Sequence, residues 1–289
     1  MYPTSSTFQA LVTHLRNRRI AVLTGAGCST ESGIPDYRGE GTRRRARRPI
    51  QYRTFLTDAA ARAHYWARST LGWPRLAKAQ PNPGHYALAW LERAGLLTGL
   101  ITQNVDRLHH KAGSRRVLEL HGNLATVRCL TCKYTIPRAA FQQWLLNLNP
   151  GWTEQAAELA PDGDADLPRA LTAHFRVPDC PRCGGILKPD VVFFGENVPR
   201  DRVEAARQIV AAAEALLVAG SSLAVYSGYR FVLEAARQAK PVVIVNLGPT
   251  RGDALATLRL EGRTGEVLPR LAAALIGQPV PEPPPPCPP

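Results

Sequence analysis

Residues 20–33 read IAVLTGAGCSTESG, and this stretch decides the fold of the 289-residue chain. Its first five residues are apolar or β-branched, as in a strand that is buried on both faces of a parallel sheet. Gly25 and Gly27 follow at once, and glycines here let backbone amides approach a phosphate at the start of a helix. The pattern is not the complete fingerprint G-x-G-x-x-G, because Thr30 holds the third position. Alone, it is a weak indication of dinucleotide binding.

Four further apolar runs repeat this strand character. They are Leu100–Thr102, Val117–Leu120, Ala215–Ala219 and Pro241–Val245. Residues at helical spacing lie between the runs, for example Val203, Ala206 and Val210. Strands that alternate with helices predict an α/β protein, with a Rossmann-like parallel sheet that carries helices on both faces. A small inserted zinc-binding lobe is predicted where the alternation stops.

The predicted domain organisation is discontinuous. The Rossmann-like domain comprises 1–40, 86–124 and 189–278, and a loop and helical insertion comprises 41–85. The inserted lobe comprises 125–188, and a Pro-rich disordered tail comprises 279–289. Near the start, Phe8, Leu11 and Leu15 share a helix face, which favours an amphipathic helix over a signal peptide. A mitochondrial presequence is the alternative there.

The charge balance favours anionic ligands. Lys and Arg number 36 against 23 Asp and Glu, which gives a net charge of +13. This excess does not choose between a phosphate-bearing cofactor and nucleic acid. Five arginines lie within Arg43–Arg48, in a run that is either a solvated face or an attractor of anions. No stretch approaches 18 consecutive apolar residues, so no membrane span is expected.

Two C-x-x-C pairs have the spacing of a metal site. Their members are Cys129, Cys132, Cys180 and Cys183. Four thiolates surround Zn²⁺ tetrahedrally and leave no position for water, so we predict one structural zinc without chemistry of its own. The alternatives are two redox dithiols or a nucleic-acid-binding zinc ribbon. The segment between the pairs is not notably basic, which argues against the ribbon.

Polar side chains follow the ends of the predicted strands. They include Gln103, Asn104, Asp106, His121, Ser221, Ser222 and Asn246. The carboxyl ends of parallel strands meet at one edge of the sheet, where ligands bind, so these groups should converge there.

With these motifs in order, the sequence resembles the sirtuins, the family of NAD-dependent protein deacylases. The motifs are GAGCSTESGIPDYRG, TQNVDRLHHKAG, ELHG, CLTC with CPRC, KPDVVFFGENVP, GSSL and VNLGPT, and they span residues 20 to about 270. Class II sirtuins are the most similar branch. The resemblance implies an enzyme that transfers an acyl group from protein lysine to ADP-ribose and releases nicotinamide. It also implies NAD and one structural Zn²⁺ as cofactors, with NAD between the sheet domain and the zinc lobe.

The resemblance also assigns roles to residues. The catalytic set would be His121 as general base, with Asn104 and Asp106 in the nicotinamide pocket. The cofactor-binding set would be Gly25, Ala26, Gly27, Thr30, Pro35, Asp36, Tyr37, Arg38, Gln103, Asn104, Val105, Asp106, Gly220, Ser221, Ser222, Asn246, Leu247, Gly248 and Thr264. The substrate-binding set would be Val192, Phe193, Phe194, Gly195 and Glu196.

Tyr65 and Arg68 add a hypothesis about the acyl group. They are three residues apart, which on a helix places both on one face. Desuccinylating sirtuins grip an acidic acyl group with a Tyr and an Arg at this spacing. The alternative is a packed tyrosine and a solvated arginine. The chain departs from the family at Thr264, where the family has a cysteine, and at Cys28, where an apolar residue is common.

Two rival functions keep part of this interpretation. A protein ADP-ribosyltransferase would use the same NAD pocket with another acceptor. A basic zinc-ribbon protein without catalysis would bind nucleic acid, which His121, Asn104 and Asp106 argue against. We expect acyl-lysine proteins as partners, a monomer, and a location in a bacterial cytoplasm.

Overall fold

The structure is a computed structural model that describes residues 5–36, 49–154 and 164–281. The described residues form two compact units. Unit 1 draws on Met1–Ile34, Gln80–His121 and Val198–Pro289, and unit 2 on Pro35–Ala79 and Gly122–Asn197. Four sequence predictions lie outside the described residues: Tyr37, Arg38, the arginine run Arg43–Arg48 and the tail from residue 282 onward.

Nine strands and nine α-helices form the described part of the chain. The strands are β1 (Ile20–Thr24), β2 (Leu97–Thr102), β3 (Val117–Glu119), β4 (Gly122–Cys129), β5 (Thr135–Pro137), β6 (Leu187–Val191), β7 (Ala215–Ala219), β8 (Val242–Asn246) and β9 (Leu258–Glu261). The helices are α1 (Ser5–Leu15), α2 (Tyr52–Thr57), α3 (Ala59–Lys78), α4 (Pro83–Arg93), α5 (Leu108–Lys111), α6 (Arg138–Leu148), α7 (Arg200–Ala211), α8 (Tyr226–Arg237) and α9 (Thr264–Ile276).

Unit 1 is built on a six-stranded sheet in the order β3-β2-β1-β7-β8-β9. Every neighbouring pair in it is parallel, so the predicted parallel sheet is confirmed. Strand β9 was not predicted from the sequence. Its four residues, Leu-Arg-Leu-Glu, alternate apolar and charged side chains because the strand lies at the edge of the sheet. An edge strand lacks the continuous apolar run by which the central strands were recognised.

Alternate residues of the central strands face two separate cores. Ile20 and Val22 of β1 pack with α1, α4 and α9 on one face. Ala21 and Leu23 pack with α7 and α8 on the other face. Because successive strand side chains point to opposite faces, an apolar strand of this kind needs helices on both sides. The α/β class with helices on both faces is therefore confirmed.

Unit 2 contains a three-stranded antiparallel sheet in the order β5-β4-β6. Its long helix α3 begins after Asp58, whose carboxylate accepts a hydrogen bond from the Ala61 amide at 3.0 Å, as an N-cap does. Trp66 of α3 is fully buried and packs against Phe141 of α6, with ring centroids 4.7 Å apart. The carboxyl end of β4 carries Cys129, the first residue of the four-cysteine set.

No helix in the described ranges is both long and apolar enough to cross a membrane.

Candidate functional site

The turn after β1 lies against the turn after β7 with almost no space between the two backbones. The Gly27 amide donates to the Gly220 carbonyl at 2.8 Å. A Cβ on Gly220 would lie 2.3 Å from the backbone nitrogen of Cys28, and its φ of +61° is a left-handed conformation. Glycine is therefore required at 220 both for space and for backbone conformation. These turns therefore have no room for side chains at their glycines, as is typical of turns whose backbone amides approach a pyrophosphate.

Ser29 joins two of the predicted catalytic residues. Its hydroxyl donates to Asp106 Oδ2 at 2.7 Å and accepts from Asn104 Nδ2 at 3.0 Å. Asn104 Nδ2 also donates to the Gly25 carbonyl at 3.0 Å. Asp106 Oδ1 accepts from the Leu108 amide at 2.9 Å, yet burial raises the pKa of this carboxyl above its ordinary value. Asn104 and Asp106 are thus held in fixed orientations by the turn that follows β1.

Gln103 lies across the same edge of the sheet. Its Nε2 donates to Ser221 Oγ at 2.9 Å and to the Thr24 carbonyl at 3.2 Å. Ser221 Oγ also accepts from the Leu223 amide at 3.2 Å. The polar groups that follow β1, β2 and β7 therefore form one connected network, as the strand-end argument predicts.

His121 follows β3 and contacts two groups of unit 1. Its Nδ1 lies 3.1 Å from the Gln103 carbonyl oxygen, and its Nε2 lies 2.7 Å from Ser227 Oγ. A carbonyl oxygen only accepts, so we infer that Nδ1 carries the hydrogen and Nε2 holds the lone pair. Burial lowers the pKa of His121 below 6.5; the Gln103 carbonyl opposes this shift and the charge of Arg202 adds to it. The imidazole is therefore neutral at neutral pH, as a general base must be.

Ser227 contacts the predicted base His121 but was not among the residues predicted from the sequence. It lies in the first turn of α8, five residues after the last hydroxyl of the Gly220-Ser-Ser motif, and 106 residues from His121. The only signal in the sequence is its place just beyond the end of β7, at the edge where ligands of parallel sheets bind.

The residues predicted for the adenosine side are held by their own loops. Asn246 Nδ2 donates to the Leu247 carbonyl at 2.7 Å and to the Gly248 carbonyl at 3.1 Å. The Ser222 carbonyl accepts from the Arg251 amide at 3.0 Å. Thr264 is buried at the start of α9.

The other predicted cofactor residues divide between the two units. Thr30 donates from its hydroxyl to the Gly27 carbonyl at 3.1 Å. Ala26 lies in the turn after β1, and Val105 lies between Asn104 and Asp106. Pro35 and Asp36 belong to unit 2.

In unit 2, a buried lysine shapes the predicted substrate segment, residues 192–196. Lys188 Nζ pairs with Glu196 Oε2 at 3.1 Å and donates to the Val191 carbonyl. Glu196 Oε2 also accepts from the Phe193 amide at 2.9 Å, which closes the segment into a turn at Gly195. Phe193 is buried and Phe194 is 41% exposed, so the two predicted wall residues differ in their environment.

Tyr65 and Arg68 both lie on α3 but in different surroundings. Tyr65 is 9% exposed and packs against the rings of Phe55, Trp66 and Phe193. Arg68 Nε donates to the Ala165 carbonyl at 2.7 Å. The helical spacing is confirmed, and recognition of an acidic acyl group by this pair stays a prediction.

The four predicted zinc ligands converge in unit 2. All four sulfur atoms lie within 4.8 Å of one another. Cys129 Sγ is 3.5 Å from Cys183 Sγ, and Cys132 Sγ is 3.6 Å from Cys180 Sγ. An ion about 2.3 Å from each of four tetrahedral sulfurs sets those sulfurs about 3.8 Å apart, so the cluster fits one zinc ion.

Comparison with known proteins agrees with this geometry. The model of the Sir2 family matches residues 25–227. An "NAD-dependent protein deacetylase" of Xanthomonas axonopodis pv. citri is 54% identical over 253 residues, 88% of this chain and 86% of that protein. The "NAD-dependent protein lipoamidase sirtuin-4, mitochondrial" of Bos taurus is 53% identical over 256 residues, 88% of this chain and 81% of that protein.

A solved structure of Sir2 with a p53 peptide and NAD⁺ superimposes with a TM-score of 0.73 at 33% identity, over 91% of this chain and 95% of that one. The family model covers most of the chain, and the relatives are identical to it at more than half of the aligned positions. The fold is shared over nearly the whole length. The chain belongs to the Sir2 family, the sirtuins.

Proposed function

We propose that this protein is an NAD-dependent protein-lysine deacylase, which transfers the acyl group to ADP-ribose and releases nicotinamide. One observation carries the proposal: a neutral imidazole, His121, is fixed through its Nδ1 by the Gln103 carbonyl, so that its Nε2 is the basic atom. The names of the relatives, a deacetylase and a lipoamidase that both depend on NAD, support the same activity.

The residues around the β1 turn would hold NAD. The close approach at Gly25, Gly27 and Gly220 leaves no room for side chains, so backbone amides and not side chains would face the pyrophosphate. Ser221 and Asn246 would hold the adenosine side. When bound, NAD supplies an electrophilic ribose carbon that loses nicotinamide and accepts the acyl oxygen of the modified lysine.

His121 would move the proton in this reaction. Its Nε2 would take a proton from a ribose hydroxyl, which makes that hydroxyl oxygen a better nucleophile. The Gln103 carbonyl stabilises the imidazolium that results, because it accepts the Nδ1 hydrogen in both protonation states. Asn104 and Asp106 would orient the nicotinamide amide, since Ser29 and Gly25 already fix their side chains.

The substrate peptide would add to unit 2 as a strand. β6 is an edge strand within the described part of the three-stranded sheet, and edge strands offer free backbone groups to an extended peptide. Residues 192–196 continue this edge and are anchored by Lys188 and by the Tyr52 amide, which donates to the Phe194 carbonyl at 2.8 Å. We propose Val192 as the backbone contact of the acyl-lysine.

The proposal is tested by mass spectrometry of the products formed from NAD and acyl-lysine peptides. The panel carries acetyl, succinyl, glutaryl, lipoyl and long fatty acyl groups on one peptide sequence. We expect nicotinamide and O-acyl-ADP-ribose in equal amounts with at least one peptide. A preference for the succinyl or glutaryl peptide, lost in Arg68→Ala, would support the Tyr65 and Arg68 hypothesis. Transfer of ADP-ribose to protein without peptide turnover would replace the deacylase with a transferase.

Ser227→Ala tests whether Ser227 positions the base. We expect kcat to fall about 3- to 10-fold with KM unchanged, because one hydrogen bond to Nε2 is worth about 1 kcal/mol. Ser227→Thr keeps the hydroxyl and should retain most of the activity. Steady-state kinetics with the preferred peptide give the two constants. A change in KM alone, or no rescue by threonine, would contradict a positioning role.

Monomeric state, a cytoplasmic location and the absence of nucleic acid among the partners stay predictions. Sedimentation of the purified protein, with and without duplex DNA at low salt, tests the monomeric state and the absence of nucleic-acid binding. DNA binding that weakens steeply as salt rises would restore the nucleic-acid alternative.

A further inference from the structure

A second group of metal-ligating side chains lies in unit 1. Cys28, His85 and His109 each bring one ligand atom into a space where these atoms lie within 4.8 Å of one another. Their side chains are 0%, 0% and 1% exposed. The reaction proposed above uses none of the three. They come from the turn after β1, the first turn of α4 and helix α5, so only the folded chain brings them together.

His109 points an unused lone pair into the protein interior. Thr24 donates its hydroxyl hydrogen to Thr102 at 2.9 Å, so its oxygen accepts from His109 Nε2, also at 2.9 Å. Nε2 then carries the ring hydrogen, and Nδ1 is the atom with the lone pair. Nδ1 is buried and has no hydrogen-bond partner. A buried polar atom without a partner is costly, and a bound ligand is one explanation for it.

His85 is held loosely beside it. Its Nδ1 accepts from the Asn82 amide at 3.3 Å, and its Nε2 lies 3.5 Å from Ser29 Oγ, so both contacts are long. The His85 and His109 ring centroids are 4.8 Å apart. Burial lowers the pKa of His85 to about 3 and that of His109 well below 6.5. Protons therefore do not compete for either imidazole at neutral pH.

The donor set selects the class of ion. One thiolate with two neutral imidazoles suits zinc and similar borderline divalent cations, whereas calcium and magnesium require oxygen ligands. Bonds of about 2.3 Å to sulfur and 2.0 Å to nitrogen set trigonal ligand atoms about 3.5–3.8 Å apart. Small shifts of the three side chains would reach that geometry. Burial raises the pKa of the Cys28 thiol to about 12, with Thr264 opposing the shift and the charges of Asp106 and Glu31 adding to it. The cation therefore has to displace the thiol proton, and its binding should strengthen as the pH rises.

We propose that Cys28, His85 and His109 form a binding site for a zinc-class divalent cation, separate from the four-cysteine site of unit 2. Binding forms one metal–sulfur and two metal–nitrogen bonds, and the Cys28 thiol proton leaves to solvent. His109 would bind through Nδ1, and His85 would bind through Nδ1 in place of its long hydrogen bond from the Asn82 amide, so that each ring keeps its hydrogen on Nε2. One consequence rests on the proposed function. Cys28 lies between Gly27, whose amide binds the Gly220 carbonyl, and Ser29, whose hydroxyl binds Asp106. An occupied site would therefore fix this loop and inhibit turnover.

The test counts bound metal on the full chain, with Cys287→Ser in every protein so that the tail thiol does not contribute. Protein that carries zinc in the four-cysteine site is dialysed against Zn²⁺ and its metal content is measured. We expect about two equivalents for the parent and about one for Cys28→Ala. His110→Ala is the matched control, because His110 is the neighbour of His109 but pairs with Glu119 at 3.3 Å outside the cluster. It should keep both equivalents.

Cobalt gives an independent readout of the ligands. Co²⁺ is added to parent protein that carries zinc only in the four-cysteine site. It should produce thiolate-to-cobalt charge-transfer absorption that is missing in Cys28→Ala. One equivalent of metal in the parent, or two in Cys28→Ala, would overturn the site. Inhibition by Zn²⁺ is scored for each protein against its own rate without added metal. The parent protein could lack deacylase activity while Cys28→Ala still binds one equivalent of metal less than the parent. That result would refute the proposed function and leave the metal site standing.

Discussion

His121→Ala should lower kcat for O-acyl-ADP-ribose formation by about 100- to 10,000-fold, the range expected when a general base is removed. The structure offers no ready substitute among the neighbouring histidines of the described chain. His109 Nε2 is committed to Thr24, and His110 pairs with Glu119. Binding of NAD and peptide should remain within about threefold of wild type, because His121 contacts the Gln103 carbonyl and Ser227 rather than the glycine turn.

Single-turnover kinetics and mass spectrometry of the products measure this loss. His110→Ala is the control for removal of a nearby imidazole, and thermal unfolding of each variant separates a catalytic loss from misfolding. A decrease of less than about tenfold would remove His121 from the role of base.

The pH dependence of the wild-type enzyme should follow the same group. Burial lowers the pKa of His121 below 6.5, so more than half of the base is neutral at pH 6.5 and more is neutral at higher pH. Activity should therefore change by less than about twofold from pH 6.5 to 8 and should be lost as the pH falls through this lower pKa. The residual activity of His121→Ala should not show this decrease at low pH.

Loss of the four-cysteine site should have the largest effect on stability. Cys132→Ser removes one ligand of the predicted zinc, with little change in packing because Cys132 is exposed. Structural zinc contributes about 10–16 kcal/mol of apparent free energy in small zinc domains, which rivals the whole stability of an ordinary domain. We expect the zinc content to fall by about one equivalent relative to the parent protein and β4 to β6 to lose their protection from hydrogen exchange.

Elemental analysis and hydrogen exchange followed by mass spectrometry measure the two effects. Cys287→Ser is the matched control, because it removes a cysteine that is not one of the four predicted ligands. The exchange of β1, β7 and β8 serves as the internal reference, since these strands belong to unit 1. Full zinc content with unchanged protection in Cys132→Ser would show that the cluster is not a zinc site.

Much of the fold could be predicted because the decisive signals are local. The strands β1, β7 and β8 are each five residues long and buried throughout, so a continuous, mostly apolar run identifies them. β9 escaped because an edge strand alternates like many exposed segments. For the site, the rule that ligands bind beyond the carboxyl ends of parallel strands gathers Gln103, Asn104 and Ser221 without any knowledge of their contacts.

The sequence by itself therefore determined the parallel sheet, the glycine turn after β1 and the spacing of the zinc ligands, because each is written in residues that are neighbours along the chain. Only the tertiary structure decided that Ser227 meets His121 and that Cys28, His85 and His109 share one buried space. It also decided that Tyr65 packs among aromatic rings while Arg68 binds a carbonyl. These contacts join residues distant in sequence, and the order of strands and the packing of helices set them, which local patterns do not encode.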